Sequence, residues 1–302
     1  MPSADKVTKV SLIKSKDRQE AMRRSIELLE INPVKGKKVV LKPNFNTADP
    51  YPGSTHPDTL RGLVEQLFEM GATGITIAER SGPVDSGQVM QELGVLELAK
   101  EYKLDVVNID ELPPEDMFKV DPPGSHWKDG FLVPKLFREA ECIVAATCLN
   151  THQYGGVFTM ALKLAVGIVP KTINNYMGEL HGSPHMRKMI AEINYGYQPN
   201  LIVMDAMEAF VEAGPMTGKR KRADLFLAGT DRIAIDAVGL AILKDLGSTP
   251  EIMNNPIFKQ EQIARAVELG LGIDNPGNIE LITGDSDSAD YARTIRSILD
   301  EG

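Results

Sequence analysis

ECIVAATCLNTHQYGGVFTMALKLAVG, residues 141–167, is the stretch that decides the fold. Its first half, Glu141 to His152, is an apolar run without alternation, the pattern of a strand buried on both faces. Gly155 and Gly156 interrupt the run, and FTMALKLAVG then resumes as an apolar helix pattern. A buried strand that turns through glycines into a helix is the unit of an α/β protein with a parallel sheet.

Five more runs of the same kind lie on either side: KVVLKPNFN (38–46), GITIAERSG (74–82), NLIVMDAME (200–208), ADLFLAGTD (223–231) and NIELITGDS (278–286). Helical patterns separate them. SLIKSKDRQEAMRRSIELLEI (11–31) reads as an amphipathic helix ahead of the first strand. Thr55 to Met70, Asp231 to Leu246 and Pro256 to Leu269 read as helices that stop at Gly71, Gly247 and Gly270. Strand and helix in alternation predict an α/β fold, a mostly parallel sheet with helices on both faces, in a single domain over 1–302. One interval departs from this. LPPEDMFKVDPPGSHWKDGFLVP (112–134) is an irregular Pro/Gly-rich insertion, either a long connection or a small antiparallel unit, and marks a soft subdivision. IVPKTINNYMGELHGSPH (168–185), rich in Asn, Gly and His, reads as a functional loop.

Composition narrows the function classes. The 302 residues are 42% hydrophobic and 25% charged, which describes a globular chain and excludes disordered and fibrous classes. No run approaches the roughly 18 apolar residues of a membrane span, and MPSADKVTKV lacks a signal peptide's apolar stretch, so the expected location is cytoplasmic. With 33 Lys and Arg against 42 Asp and Glu, the net charge of −9 argues against nucleic acid or an anionic membrane as partner. An anionic ligand must then be held by local positive charge. Cys142 and Cys148 lie in one apolar run, as two reduced thiols on one strand face, and form no iron–sulfur motif.

Ligands of open α/β sheets bind beyond the carboxyl ends of the strands, which directs attention to those ends. After the first run come Lys42, Asn44 and Asn46, then Thr55 and His56 at the next helix start. A Lys there can pair with a carboxylate or phosphate, and the Asn side chains both donate and accept; a solvated Lys with turn-forming Asn is the bland reading. Glu79, followed by Arg80, Ser81 and Gly82, can wall a pocket or belong to a polar loop. Asn150 and His152 precede the Gly-Gly turn, where backbone donors and one titratable ring can meet an anion. Lys163 sits among Ala161, Leu162, Leu164 and Ala165, so its ammonium either snorkels to water or needs a partner in a pocket, where desolvation would prepare it as a base. Lys163 and His152 are therefore the candidate catalytic residues. In GPMTGKRKR (214–222), Gly214, Thr217, Gly218 and Lys219 form a turn with exposed N–H groups beside cations, either an anion site or a solvated hairpin tip. Asp236, among apolar residues, calls for a cationic partner. His181, His185 and Asp205 supply donor types for zinc or another divalent metal, although no spacing demands one.

Taken together, LKPNFN, THPDTLRGLVEQL, IAERSG, LNTH, ALKLAVGIVP, LIVMDAMEAFVEAGPMTG and LAGTDRIAIDAVGLAIL resemble, in order and spacing, the domain of unknown function 362 family, from about Val39 to about Leu246. The resemblance implies a prokaryotic α/β protein with a pocket at the matched loops. The family's usual Lys-Asn pair is Lys163-Leu164 here, so a role needing the amide does not carry over. Nor does electron transfer, because the cysteine-rich ferredoxin-like segment of many relatives is missing. In layout the chain is also similar to lactate racemases, in which a Lys and several His serve a nickel cofactor, a likeness of analogy only. The expectation is an enzyme acting on a small anionic carboxylate or phosphate metabolite by Lys/His proton transfer, its cofactor unknown. The alternative is a non-catalytic carrier of a metal or metabolite.

Overall fold

The computed structural model of the chain describes residues 7–301; the first six residues, on which part of the signal-peptide reading rests, lie outside them. The strands are β1 (Thr8–Lys14), β2 (Lys38–Lys42), β3 (Gly74–Glu79), β4 (Asp105–Asn108), β5 (Met117–Val120), β6 (Phe131–Pro134), β7 (Cys142–His152), β8 (Val157–Thr159), β9 (Leu201–Glu212), β10 (Lys219–Gly229) and β11 (Ile279–Ile282). All six apolar runs are strands of one sheet in the order β11-β1-β10-β9-β7-β2-β3-β4, with β8 folded back on β7. β4, β3, β2, β7 and β9 run parallel, as do β1 and β11, while β10 is antiparallel to both of its neighbours. The sheet is mostly parallel, and the carboxyl ends of β2, β3 and β7 share one edge. Lys42, Glu79 and His152 close those three strands there.

Helices cover both faces, which explains why the runs do not alternate polar with apolar. Along β9, Ile202 and Met204 enter the core under the helices Arg232–Leu246 and Glu261–Glu268, while Leu201 and Val203 enter the core under Arg18–Glu27 and Pro57–Glu69. β7 and β10 divide their residues the same way. Capping fixes the helix starts: Asp231 accepts from the N–H groups of Ile233 and Ala234 at 2.8 and 3.0 Å, and His56 accepts from Asp58 just before Pro57. No described helix is long and apolar enough to cross a membrane. Both cysteines are free and buried.

The structure corrects the reading of the first element. Thr8–Lys14 is strand β1, inserted between β10 and β11, and only Arg18–Glu27 is helix, started by Asp17, whose carboxylate accepts from Glu20 N at 3.0 Å. The Pro/Gly-rich insertion is the small antiparallel unit: β5 and β6 form a separate two-stranded sheet, and Trp127, Phe131 and Val133 pack with Tyr176, Met189 and Tyr197. The segment 168–185 is not all loop, since Tyr176–Gly182 is a helix that buries Tyr176 and Leu180 in this same cluster.

Candidate functional site

Beyond the carboxyl ends of β2 and β3, Lys42 and Glu79 are each 1% exposed and form an ion pair at 2.6 Å. Both have further partners. Lys42 also donates to Pro43 O at 2.7 Å, and Glu79 accepts from the N–H groups of Arg80 and Phe45 at 2.8 and 2.9 Å. Burial is the larger influence on both, lowering the affinity of Lys42 for its proton and raising that of Glu79, and the attraction between them opposes it. Gly167 closes over this pair. A Cβ there would lie 2.7 Å from both Lys42 Nζ and Glu79 Oε1, so the turn needs a residue without a side chain.

The next residue, Arg80, is 3% exposed, and its guanidinium forms no ion pair among the described residues. Its guanidinium donates to the carbonyls of Val169, Val166 and Ser81 at 2.8, 2.6 and 3.1 Å. Lys171 ties down the same loops, with its Nζ reaching the carbonyls of Ser81, Gly82 and Val84 and the carboxylate of Asp110 at 3.2 Å. The segment after Lys163 is thus bound to the β3 end through two cations.

Lys163 is presented by the short helix Ala161–Leu164, which is clamped from below. Asp236 accepts from the N–H groups of Ala161 and Leu162 at 2.7 and 2.9 Å, and Asn194 donates to Leu162 O at 2.8 Å. The carboxylate faces a helix start and is held by two backbone donors, with the charge of buried Arg232 acting on it from further off; burial is the largest influence and raises its pKa to about 7. The Lys163 ammonium forms no ion pair or hydrogen bond with any described residue. Burial first, and then repulsion from Arg80, lower its pKa to about 8. Its neighbour His152 is 7% exposed and accepts from Gly156 N at Nδ1, 3.1 Å, which leaves the ring proton on Nε2. Burial, Lys163 and His181 push its pKa down to about 2, which favours the neutral ring.

Lys42, Asn44, Asn46, Glu79, Arg80 and Lys163 line a cleft with about 40 Å³ of free room, roofed by Gly167 and Pro215. A water needs on the order of 10–15 Å³ by the same measure, so the cleft admits a few waters or one small anionic group. Three cleft groups are unengaged among the described residues: the Lys163 ammonium, the Asn46 side-chain amide and the Thr159 hydroxyl. A wider groove of about 770 Å³ follows β11, but its arginines 293 and 296 already pair with Asp290 and Asp300.

The remaining sequence candidates divide clearly. Asn150 is a buried clip, donating to Pro52 O at 2.6 Å and accepting from Phe210 N at 2.9 Å. Thr55 accepts from Asn44 N at 2.9 Å and so shapes the loop. Gly214 packs on Thr151, but Thr217, Gly218 and Lys219 lie at an exposed hairpin, where Lys219 pairs with Glu212 at 2.9 Å. The basic run Lys219 to Arg222 starts β10, so it is strand surface and lines no part of the cleft. His181, His185 and Asp205 are not brought together. His181 is close enough to Lys163 and Arg80 for their charges to lower its pKa, secondary to burial. His185 lies tilted against His126, with ring centres 4.6 Å apart. Asp205 accepts from Arg18, Tyr51, Thr59 and Met207 N. Among the described residues no group of three His, Cys, Asp or Glu side chains is arranged to hold a metal. Of the two readings of Glu79 and Arg80, the pocket wall is the one the cleft lining fits, and the sequence carries no signal that Arg80 serves carbonyls on other loops.

Comparison with known proteins gives a family and little more. Residues 39–241 match the model of the family described as Domain of unknown function (DUF362). No curated protein matches the chain. Among solved structures it is similar to the lactate racemase apoprotein from Thermoanaerobacterium thermosaccharolyticum, with 14% identity over 94% of this chain and 85% of that one and a TM-score of 0.47.

Proposed function

The chain belongs to the DUF362 family, and from that premise we propose that its strand-end cleft binds the carboxylate of a small metabolite, with Lys163 as the group that exchanges a proton with it. The observation that carries this reading is an ammonium among cations without a carboxylate of its own, beside a free amide, in a cleft of small volume. Arg80 and Lys163 repel each other across it, and an anion between them would relieve that repulsion. The small room favours a carboxylate over a larger phosphoryl group. A pKa of about 8 gives Lys163 both forms near neutrality, so that it holds the anion when charged and accepts a proton when neutral. His152, neutral with its proton on Nε2, is not part of the cleft wall and would act there only through its neighbour Lys163.

Calorimetric titration with short 2-hydroxy and 2-oxo carboxylates and with inorganic phosphate tests this reading. Affinity for the carboxylates is expected to be greatest below the Lys163 pKa of about 8 and to fall by roughly tenfold per pH unit above it, until the pKa of the complex is passed. Exchange of the bound acid's α-hydrogen for solvent deuterium, followed by NMR, separates an enzyme from a carrier. Binding without exchange would assign the carrier role, and affinity independent of pH would remove Lys163 from the site.

A further inference from the structure

The loop after β2 serves two concavities. Asn44 and Asn46 face the cleft, whereas Ala48 to His56 form one wall of a separate groove of about 630 Å³ that shares no residue with it. That volume is within the roughly 300–1,000 Å³ of small-molecule sites. In a chain of net charge −9, the groove gathers Lys16, Arg18, Arg220 and Arg222 against Glu92 and Glu208.

Arg18 is built into place. Its Nε donates to Asp205 at 2.9 Å, its guanidinium lies over the Tyr51 ring at 4.6 Å, and its side chain is only 18% exposed. Asp205 is in turn fixed by Tyr51 Oη at 2.7 Å and Thr59 Oγ1 at 2.5 Å. Arg222 is engaged by Asp224, but among the described residues the Lys16 ammonium makes no ion pair or hydrogen bond, and the Arg220 guanidinium only lies over Phe210 at 5.1 Å. Burial first, and the Arg18 charge next, hold the nearby His56 below its ordinary pKa, so cationic groups here crowd one another. A preset guanidinium with unpaired cations beside it suits a multiply charged phosphate, since the ordering of Arg18 precedes binding. Ala48, Pro50, Leu93 and Met207 give the groove an apolar wall for the organic part of a ligand.

We propose that this groove is a second anion site that takes a phosphorylated small molecule of nucleotide size, its phosphates among Lys16, Arg18 and Arg220. The test is calorimetric titration of the full chain with ADP and with pyrophosphate. Lys16 and Arg220 are exposed, so Lys16→Glu/Arg220→Glu removes the charge at little risk to the fold, and Lys16→Gln/Arg220→Gln is the milder control. One ADP per chain, bound more tightly than pyrophosphate, should bind at least about tenfold more weakly in the charge-reversed variant, more weakly also in the glutamine variant, and unchanged in Lys163→Met. Absence of saturable ADP binding, or binding indifferent to both double variants, would overturn the proposal. So would loss of ADP binding in Lys163→Met, which would place the nucleotide in the cleft, or capture of RNA or anionic vesicles in its stead.

Discussion

Replacing Lys163 by methionine is expected to make the protein more stable at neutral pH and unable to bind a small carboxylate. Methionine keeps most of the stem's volume but removes a charge that has no partner among the described residues. The folded state holds Lys163 near a pKa of about 8, against 10.5 for the free side chain. At about 1.4 kcal/mol per pH unit, a gain on the order of 1–3 kcal/mol follows once partial exposure of the ammonium is allowed for. The sign can be checked by pH. Folded protein binds fewer protons than unfolded between about 8 and 10.5, so the wild type gains stability as pH rises through that window, and the variant's advantage should vanish above it. Denaturant melting at several pH values measures this. A variant less stable than the wild type at neutral pH would mean that Lys163 has a compensating partner and is not an available cation. Stability given up for an unpaired charge is a common signature of a functional group.

Glu79→Ala is expected to produce the largest loss of stability, on the order of 3–5 kcal/mol. It would leave the Lys42 ammonium buried at 1% exposure, and it would remove the acceptor of the Arg80 and Phe45 N–H groups. The companion double variant Lys42→Met/Glu79→Leu should recover much of that loss, because two apolar side chains escape the desolvation penalty of two ions. Such recovery would show that the pair positions the loops after β2 and β3 and does little to stabilise the fold. If Glu79→Ala melted like the wild type, Lys42 would have to be solvated, and the cleft would be more open than its 40 Å³.

The sheet was legible in the sequence wherever a strand is buried on both faces, since such runs carry their signal locally. β7 and β9 are of this kind. β1 was not legible. Thr8–Lys14 passes into SKDRQEAM without a strong break, and its strand state depends on pairing with β10 and β11, more than 200 residues away in sequence. At the cleft, Lys42, Glu79 and Lys163 could be found because charged residues in apolar company ask for an explanation. That the first two satisfy each other and the third stays alone depends on how separate strand ends meet, which no local pattern encodes. Arg80 binds carbonyls, and Asp205 is consumed by Arg18, Tyr51 and Thr59, so chemistry alone under-rated the first and over-rated the second. The run Lys219 to Arg222 lies outside the cleft for a related reason: its charge density is real, but the hairpin register places it along β10.

Titration of Lys163 itself is the most direct test, followed by NMR at the side-chain ε carbon of lysine-labelled protein, with Lys163→Met assigning the signal. An available cation in an anion cleft predicts a midpoint of about 8 without ligand, moving upward when a short 2-hydroxy carboxylate saturates the protein. A midpoint at the ordinary value of about 10.4, unmoved by the carboxylate, would contradict it.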